Sequence, residues 1–125
     1  MPKVSRSSAT ITNDFGLAVD RTEEFGDYTV NFVTIRQDAD LTAMLKGLPD
    51  DSCQCPHWGY VFEGQLTVRY ADHDEVFEAG EAFYMPAGHI PAAVAGSEFV
   101  QFSPAEALRV SEDQIARNMA AMQSR

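Results

Sequence analysis

The sequence predicts an all-β fold of one domain, closed by a short helical segment at its carboxyl end. After residue 50, short apolar runs are punctuated by Gly, Pro or Asp every eight to ten residues, which is the rhythm of an all-β protein. Several runs alternate apolar and polar residues with the period of two typical of a half-buried strand. At 125 residues and 13.8 kDa the chain has the length of one domain, and no second domain is expected.

Charge and composition narrow the classes of partner. Nineteen acidic and nine basic side chains give a net charge of -10, and the basic residues are scattered along the chain. This charge disfavours both nucleic acids and anionic membrane surfaces. No apolar run approaches the roughly 18 residues of a membrane span, and residues 1–13 lack the apolar segment of a secretory signal. We therefore expect a cytoplasmic protein that binds neither nucleic acid nor a membrane.

The first half of the chain contains one clear strand. Residues 1–13 are polar and predict a flexible amino terminus, with the ordered chain beginning near Phe15. The run 28–35 is β-branched and aromatic throughout, which favours a strand partly buried on both faces. Residues 40–47 have an acidic N-cap candidate, helix formers and a final glycine, so a short helix competes with a strand as the prediction for this segment. Residues 48–51 predict a turn.

Six short strands are predicted in the second half. The first begins at His57 and ends in a hairpin turn at Glu63-Gly64, after which the chain alternates apolar and polar residues. The predicted strands cover residues 57–63, 65–70, 75–78, 81–85, 92–94 and 98–102.

The carboxyl end predicts an amphipathic helix. Ser103-Pro104-Ala105-Glu106 has a serine cap, a proline at the first helical position and a glutamate three residues after the cap. Residues 111–114 repeat this pattern and predict a second start. Ile115, Met119 and Met122 then recur at helical spacing. This apolar stripe would pack on the domain itself or form a dimer contact.

Two cysteines and two histidines are candidate metal ligands. Cys53, Cys55 and His57 are spaced by twos, so on an extended strand their side chains share one face, and His89 follows about thirty residues later. A disulfide between cysteines one residue apart would be strained, so free thiols or metal ligands are favoured over a redox pair. His73 lies in an acidic turn and is interpreted as a solvated residue.

Two segments resemble the conserved motifs of the cupin superfamily, which are small double-stranded β-helix (jelly-roll) barrels. The second motif requires a glycine, five residues and then Pro-x-Gly, and the first includes a Gly-x-Tyr-Val-x-x-Gly strand before a hairpin. The residues that carry the resemblance are Gly59, Tyr60, Val61, Gly64, Gly80, Pro86 and Gly88. It covers about residues 45 to 103. It implies a cupin barrel over residues 14–103 and a helical segment over residues 104–125.

The chain departs from the cupin pattern at the metal ligands. Cupins supply His-x-His, and counting from the flanking glycines places either Cys53 and Cys55 or Asp51 and Cys53 at those histidines. The two registers differ by two residues, so these positions share a face if the segment is extended. The histidine of the second motif falls at Pro91, whereas His89 lies two residues earlier on the same face.

These residues predict a mononuclear divalent metal site. The expected ligands are His57, His89, Cys55 and Cys53. Thiolates with imidazoles favour zinc, our first choice. Non-haem Fe(II) is second, because its facial site would need the carboxylate of Asp51 or Glu63. The alternative is a cupin without metal, in which the cysteines and histidines are ordinary buried residues.

The resemblance implies a function only in outline. Phe83, Met85 and Phe99 would line a substrate pocket, although plain core packing explains them equally well. We expect Lewis-acid chemistry on a small organic molecule, of isomerase, lyase or dioxygenase type, with catalytic residues unassigned. The alternative is a non-catalytic small-ligand-binding or sensing module. Trp58 and Tyr60 have opposite parity to His57 and should cover the outer face, which suits the homodimer implied by the resemblance.

Overall fold

The computed structural model describes residues 3–123, which form ten strands, two short 3-10 helices and one α-helix. The strands are β1 (Ile11–Asp14), β2 (Ala18–Phe25), β3 (Tyr28–Ile35), β4 (Ala39–Asp40), β5 (His57–Glu63), β6 (Gln65–Arg69), β7 (Asp74–Glu78), β8 (Ala82–Met85), β9 (Ile90–Ala93) and β10 (Glu98–Pro104). The 3-10 helices are Ala43–Leu45 and Pro49–Asp51, and the helix α1 is Ala105–Gln123. The predictions for residues 1–2 and 124–125 lie outside the described residues.

The strands form two antiparallel sheets whose inner faces enclose the core. One sheet has six strands in the order β1-β2-β3-β10-β5-β8, and the other has four in the order β4-β9-β6-β7. The buried side chains between the sheets are Val61, Leu66, Val68, Phe83 and Met85. The all-β prediction with a helix at the carboxyl end is confirmed.

Strands β1 and β2 were not recognised in the sequence. β1 begins at Ile11, inside the stretch 1–13 for which a flexible terminus is expected, and pairs with β2 from Ile11 to Asp14. The barrel therefore begins near residue 11 and not near Phe15. β2 carries polar side chains on its inner face, where Asp20 and Thr22 hydrogen-bond to Asn31. Its sequence consequently lacks the apolar alternation that reveals a half-buried strand.

The helix α1 covers a second core beneath the six-stranded sheet. This cluster contains Leu45, Leu48, Cys53, Cys55 and Leu108. Asn118 of α1 donates from its amide nitrogen to the carbonyl oxygens of Met44 (2.7 Å) and Lys46 (2.8 Å). These bonds fix the helix on the chain that leads into the Cys53 segment. Within residues 40–47, for which a short helix and a strand were both open, the structure has a single 3-10 turn after β4.

The prediction of a second helix start at Ser111 is wrong, because α1 is continuous from Ala105 to Gln123. Ser111 is only 3% exposed and faces the interior. The first predicted start is correct to within one residue, since β10 extends through Pro104 and the helix follows directly. A serine followed by acidic residues caps a helix only where its own backbone is not helical, whereas Ser111 lies inside the continuous helix.

The outer face of the six-stranded sheet exposes aromatic side chains. Trp58 and Tyr60 point outward as expected, with 43% and 40% of their surface exposed. Trp58 stacks on Tyr84 at a ring-centroid distance of 5.1 Å, and Phe102 on the neighbouring strand is also exposed. The expected homodimer stays a prediction.

Gly59 provides a test of the core. A Cβ atom at this position would overlap the carbonyl oxygen of Val100 and the ring of Phe83. We expect Gly59→Ala to lower the free energy of unfolding by about 1–3 kcal/mol, the usual cost of overpacking, as measured by urea denaturation. The control is Gly96→Ala, where the added atom meets open space and the positive φ of 89° alone costs about 1–2 kcal/mol. A Gly59→Ala variant as stable as the wild-type protein would contradict this packing.

Candidate metal centre

An isolated backbone bridge joins the two segments that carry the candidate ligands. Cys53 precedes β5, His89 precedes β9, and the two residues pair in an antiparallel bridge outside the named strands. The Cys53 amide donates to the carbonyl oxygen of His89 at 2.9 Å, and the Gly88 amide donates to the carbonyl oxygen of Cys53 at 2.8 Å. His57 is the first residue of β5, so its side chain lies beside this bridge.

Three side chains converge at this point. One ligand atom each from Cys53, His57 and His89 lies within 4.8 Å of the other two. The Sγ atom of Cys53 is 3.8 Å from Nε2 of His57, and the two imidazole centroids are 4.9 Å apart. All three residues are buried, with at most 5% of their surface exposed. The cluster is thus shielded from bulk water.

Each of the three side chains is oriented by a second polar group. The Nδ1 atom of His57 lies 2.6 Å from Oγ of Ser103, and Sγ of Cys53 lies 3.2 Å from Oγ of Ser111. The Nδ1–H of His89 donates to the carbonyl oxygen of Pro86 at 2.7 Å. Hydrogen bonds of this kind fix the ring orientation and tautomer of metal-binding histidines.

The Nε2 atom of His89 is buried and has no hydrogen-bond partner. Because a carbonyl oxygen can only accept, Nδ1 carries the proton and Nε2 carries a lone pair. A buried acceptor left without a partner costs about 1–3 kcal/mol. A metal ion bound by Nε2 would remove this cost, so the donor set of one thiolate and two imidazoles fits a divalent ion.

Burial shifts the pKa values of all three groups. It lowers the pKa of His57 to about 3, with the nearby His89 contributing, and it also lowers the pKa of His89. It raises the pKa of the Cys53 thiol, against the opposing hydrogen bond from Ser111. Both imidazoles are therefore neutral near pH 7, as metal binding requires, whereas the thiol must lose its proton to a bound metal.

Cys55 and the two candidate carboxylates lie outside the cluster. The Sγ atom of Cys55 is directed at the carbonyl oxygens of Pro56 (3.4 Å) and Pro104 (3.9 Å). Asp51 is exposed and its Oδ1 accepts a hydrogen bond from the Gly47 amide, while Glu63 is exposed at the end of β5.

The expected shared face requires an extended chain from residue 51 to residue 57, and that expectation is wrong. Residues 49–51 form a 3-10 turn, Cys53 is held in the bridge, and β5 begins only at His57, directly after Pro56. Since the alternation of side chains holds only within a strand, Cys53 and Cys55 point to different surroundings.

The cluster opens into a cavity of about 480 Å³ inside the barrel. Met85 and Phe99 are among its lining residues, as the sequence suggests for a pocket. Phe83 is not, because it stacks on Phe77 at 5.1 Å within the core. The helix α1 supplies one wall through Leu108, Ser111, Glu112, Asp113, Ile115, Ala116 and Met119.

Sequence reasoning missed the orienting serines. Ser103 and Ser111 were both interpreted as helix caps, yet they are 0% and 3% exposed and contact His57 and Cys53. Their spacing of eight residues gave no sign of a common role, because one lies at the end of a strand and the other inside the helix.

Comparison with solved structures shows the fold. A Rhizobium leguminosarum protein of unknown function aligns with a TM-score of 0.61 at 20% identity, covering 82% of this chain and 95% of its own. The polyketide cyclase RemF from Streptomyces resistomycificus aligns with a TM-score of 0.57 at 16% identity, and the alignment covers 84% of this chain and 80% of RemF. An oxalate decarboxylase, OxdC of Bacillus subtilis, aligns with a TM-score of 0.60 at 15% identity, and the alignment covers 81% of this chain and 28% of that protein.

RemF and the oxalate decarboxylase are cupin-fold proteins, and the chain accordingly has the jelly-roll fold of a cupin domain. No family model and no curated protein sequence matches the chain. At these identities the likeness concerns the fold. Within residues 3–123, no helix has the length and apolar character needed to cross a membrane.

The buried histidines predict a specific pH dependence of stability. His57 has a pKa of about 3 in the folded protein against about 6.5 when unfolded. In metal-free protein, His57 therefore lowers the free energy of unfolding by up to about 1.4 kcal/mol per pH unit as the pH falls from 6.5 towards 3. His57→Gln should make this dependence shallower, as followed by urea denaturation at several pH values. The control His73→Gln changes an exposed turn residue, and a slope unaltered by His57→Gln would contradict the burial of a neutral imidazole.

Proposed function

We propose that the chain binds a divalent metal ion through Cys53, His57 and His89 and acts on a small organic molecule in the barrel cavity. The observation that carries this proposal is the buried Nε2 of His89, which has no hydrogen-bond partner and lies with Sγ of Cys53 and the His57 ring in one cluster. The three orienting contacts from Ser103, Ser111 and Pro86 support it.

Zinc is the proposed metal. A set of one thiolate and two imidazoles combines a soft ligand with two borderline ones, which Zn²⁺ accepts readily. The alternative, a non-haem Fe(II) site of facial geometry, requires a carboxylate ligand. Asp51 and Glu63, which would supply it, lie outside the cluster, so iron is the weaker proposal.

A catalytic site is favoured over a closed structural one. Structural zinc sites have four protein ligands, whereas catalytic sites keep a position for water or substrate. The cluster offers three ligand atoms, and the Sγ of Cys55 is directed at backbone carbonyl oxygens instead. A metal bound here would supply Lewis acidity that polarises a substrate oxygen.

The chain's own residues would prepare this chemistry. With Nε2 of each histidine bound, Nδ1–H of His57 donates to Ser103 and Nδ1–H of His89 donates to Pro86, and both rings keep one orientation. The hydroxyl of Ser111 donates to the Cys53 thiolate and offsets part of its charge. The apolar walls of the cavity limit the access of water to the substrate.

The reaction type is left at the level of Lewis-acid chemistry. The names of the structural neighbours include a polyketide cyclase and an oxalate decarboxylase, which perform different reactions on the same fold. Fold alone therefore does not select a reaction.

Metal analysis tests the proposal directly. Protein purified without a histidine tag should carry close to one equivalent of zinc by plasma mass spectrometry. Less than about 0.2 equivalents of any transition metal, persisting after incubation with Zn²⁺ or Fe²⁺, would overturn the proposal, since well-formed three-ligand sites bind zinc strongly.

Variants test the ligand assignment. Cys53→Ser and His89→Ala should each lower metal affinity by at least a hundredfold, because each removes a ligand. Ser103→Ala removes an orienting group and should cost about 10–100-fold. Cys55→Ser is the matched control, a buried cysteine of the same segment, and should retain full occupancy in competition with a chelator. Loss of metal in Cys55→Ser together with full retention in Cys53→Ser would show that the other thiol is the ligand.

A further inference from the structure

The cavity has a second polar region, separate from the metal cluster. Thr22, Asn31 and Gln101 lie in one row across β2, β3 and β10, since Thr22 pairs with Asn31 and Asn31 with Gln101. Asp20 precedes Thr22 by two residues and shares its inner face. Asp20, Asn31 and Gln101 all line the cavity.

Asn31 has an acceptor atom that nothing in the protein satisfies. Its residue is 1% exposed, and its Nδ2 donates to both carboxylate oxygens of Asp20 (3.0 and 3.1 Å) and to Oγ1 of Thr22 (3.1 Å). The carboxylate can only accept, so it fixes which side of the amide carries the N–H groups. The Oδ1 atom is left buried without a partner, and a ligand donor in the cavity would satisfy it.

The charged residues that line the cavity are all acidic. They are Asp20, Glu112 and Asp113, and the described lining contains no lysine or arginine. Partial burial and the charges of Asp20, Asp113 and Glu24 raise the pKa of Glu112 to about 7, and the charge of Arg109 opposes them only in part. Burial likewise raises the pKa of Asp20. The negative potential of this region is therefore not neutralised by the protein, and a bound cation would relieve it.

The distance between the two polar regions is one that a single small molecule can span. β10 lies between β3 and β5, so Asn31 and His57 are separated by two strand spacings, on the order of 10 Å along the sheet. Gln101 on β10 lies between the strands that carry them, and the cavity around both regions has apolar lining residues such as Met85 and Phe99.

We infer that the Asp20–Asn31 region binds a positively charged ammonium group of the ligand, whose opposite end reaches the metal cluster. An ammonium group supplies the N–H donors that Oδ1 of Asn31 and the carboxylate of Asp20 accept. A carboxylate or phosphate at this end would meet three acidic side chains, and the lining offers it side-chain amides such as that of Gln101 but no lysine or arginine. The inference deepens the proposed function, and only the position of the ligand's other end rests on the metal.

Three probes of similar size test the inference. Benzylamine, benzyl alcohol and benzoate share one ring and differ in the charge of the polar group, which is positive, neutral and negative near pH 7. In calorimetric titrations of chelator-treated protein, where no zinc can bind the oxygen atoms of the alcohol or of benzoate, benzylamine should bind at least tenfold more tightly than the alcohol, and benzoate more weakly still. Equal binding of the three, or tighter binding of benzoate, would overturn the inference.

Variants locate the binding. Asp20→Asn keeps the shape of the side chain and should weaken benzylamine binding about tenfold, with little change for benzyl alcohol. Asp27→Asn is the control, because Asp27 is an exposed carboxylate outside the cavity lining. Glu112→Gln removes the charge of a lining residue on α1, outside the strands that carry Asp20 and Asn31, and should weaken benzylamine binding about threefold. Unchanged benzylamine affinity in the folded Glu112→Gln and Asp20→Asn variants would overturn the inference.

The same titrations on zinc-loaded protein separate this inference from the proposed metal site. The factor by which Asp20→Asn weakens benzylamine binding should be the same in the zinc-loaded and the metal-free protein. A chain that binds no metal but keeps the Asp20-dependent preference would overturn the proposed function alone. A chain that binds zinc with no preference among the probes would overturn the ammonium site alone.

Discussion

The backbone bridge between Cys53 and His89 is the interaction on which the candidate centre depends. It joins two loops that are far apart in sequence and that each connect one sheet to the other, and its hydrogen bonds of 2.8 and 2.9 Å hold both candidate ligand residues at fixed positions. A cysteine and a histidine that depart from the cupin ligand pattern are therefore direct neighbours in space. One candidate ligand atom from each of these two residues consequently lies within 4.8 Å of the other and of a ring nitrogen of His57.

The helix α1 is part of this centre as well as of the core. Ser111 contacts the Cys53 thiol, Leu108 packs in the cluster that contains both cysteines, and Asn118 ties the helix to the chain before residue 49. The helix also walls the cavity and brings Glu112 to its rim. Opening the helix would consequently disturb a candidate metal ligand, the cavity wall and the acidic region together.

The fold was predictable from the sequence because the residues that indicate it, such as the turn glycines, act on the backbone at their own positions. Gly64 and Gly88 adopt φ values of 73° and 94°, which side chains rarely tolerate, so their spacing reports the turns of the barrel directly. The choice between Cys53 and Cys55 was not predictable, because it depends on a bend of the chain at Cys55, before β5 begins. Asp20 and Asn31 escaped notice for a related reason: a strand whose inner face is polar lacks the apolar alternation that identifies strands.

The most direct measurement of the central claim is the X-ray absorption spectrum of the zinc-loaded protein at the zinc edge. The account predicts one sulfur ligand at about 2.3 Å and two imidazole nitrogens at about 2.0–2.1 Å, completed by a light atom from solvent. A spectrum with two sulfur ligands would place Cys55 in a closed structural site. A spectrum with no sulfur ligand would contradict the assignment of Cys53 and, with it, the role given to the bridge.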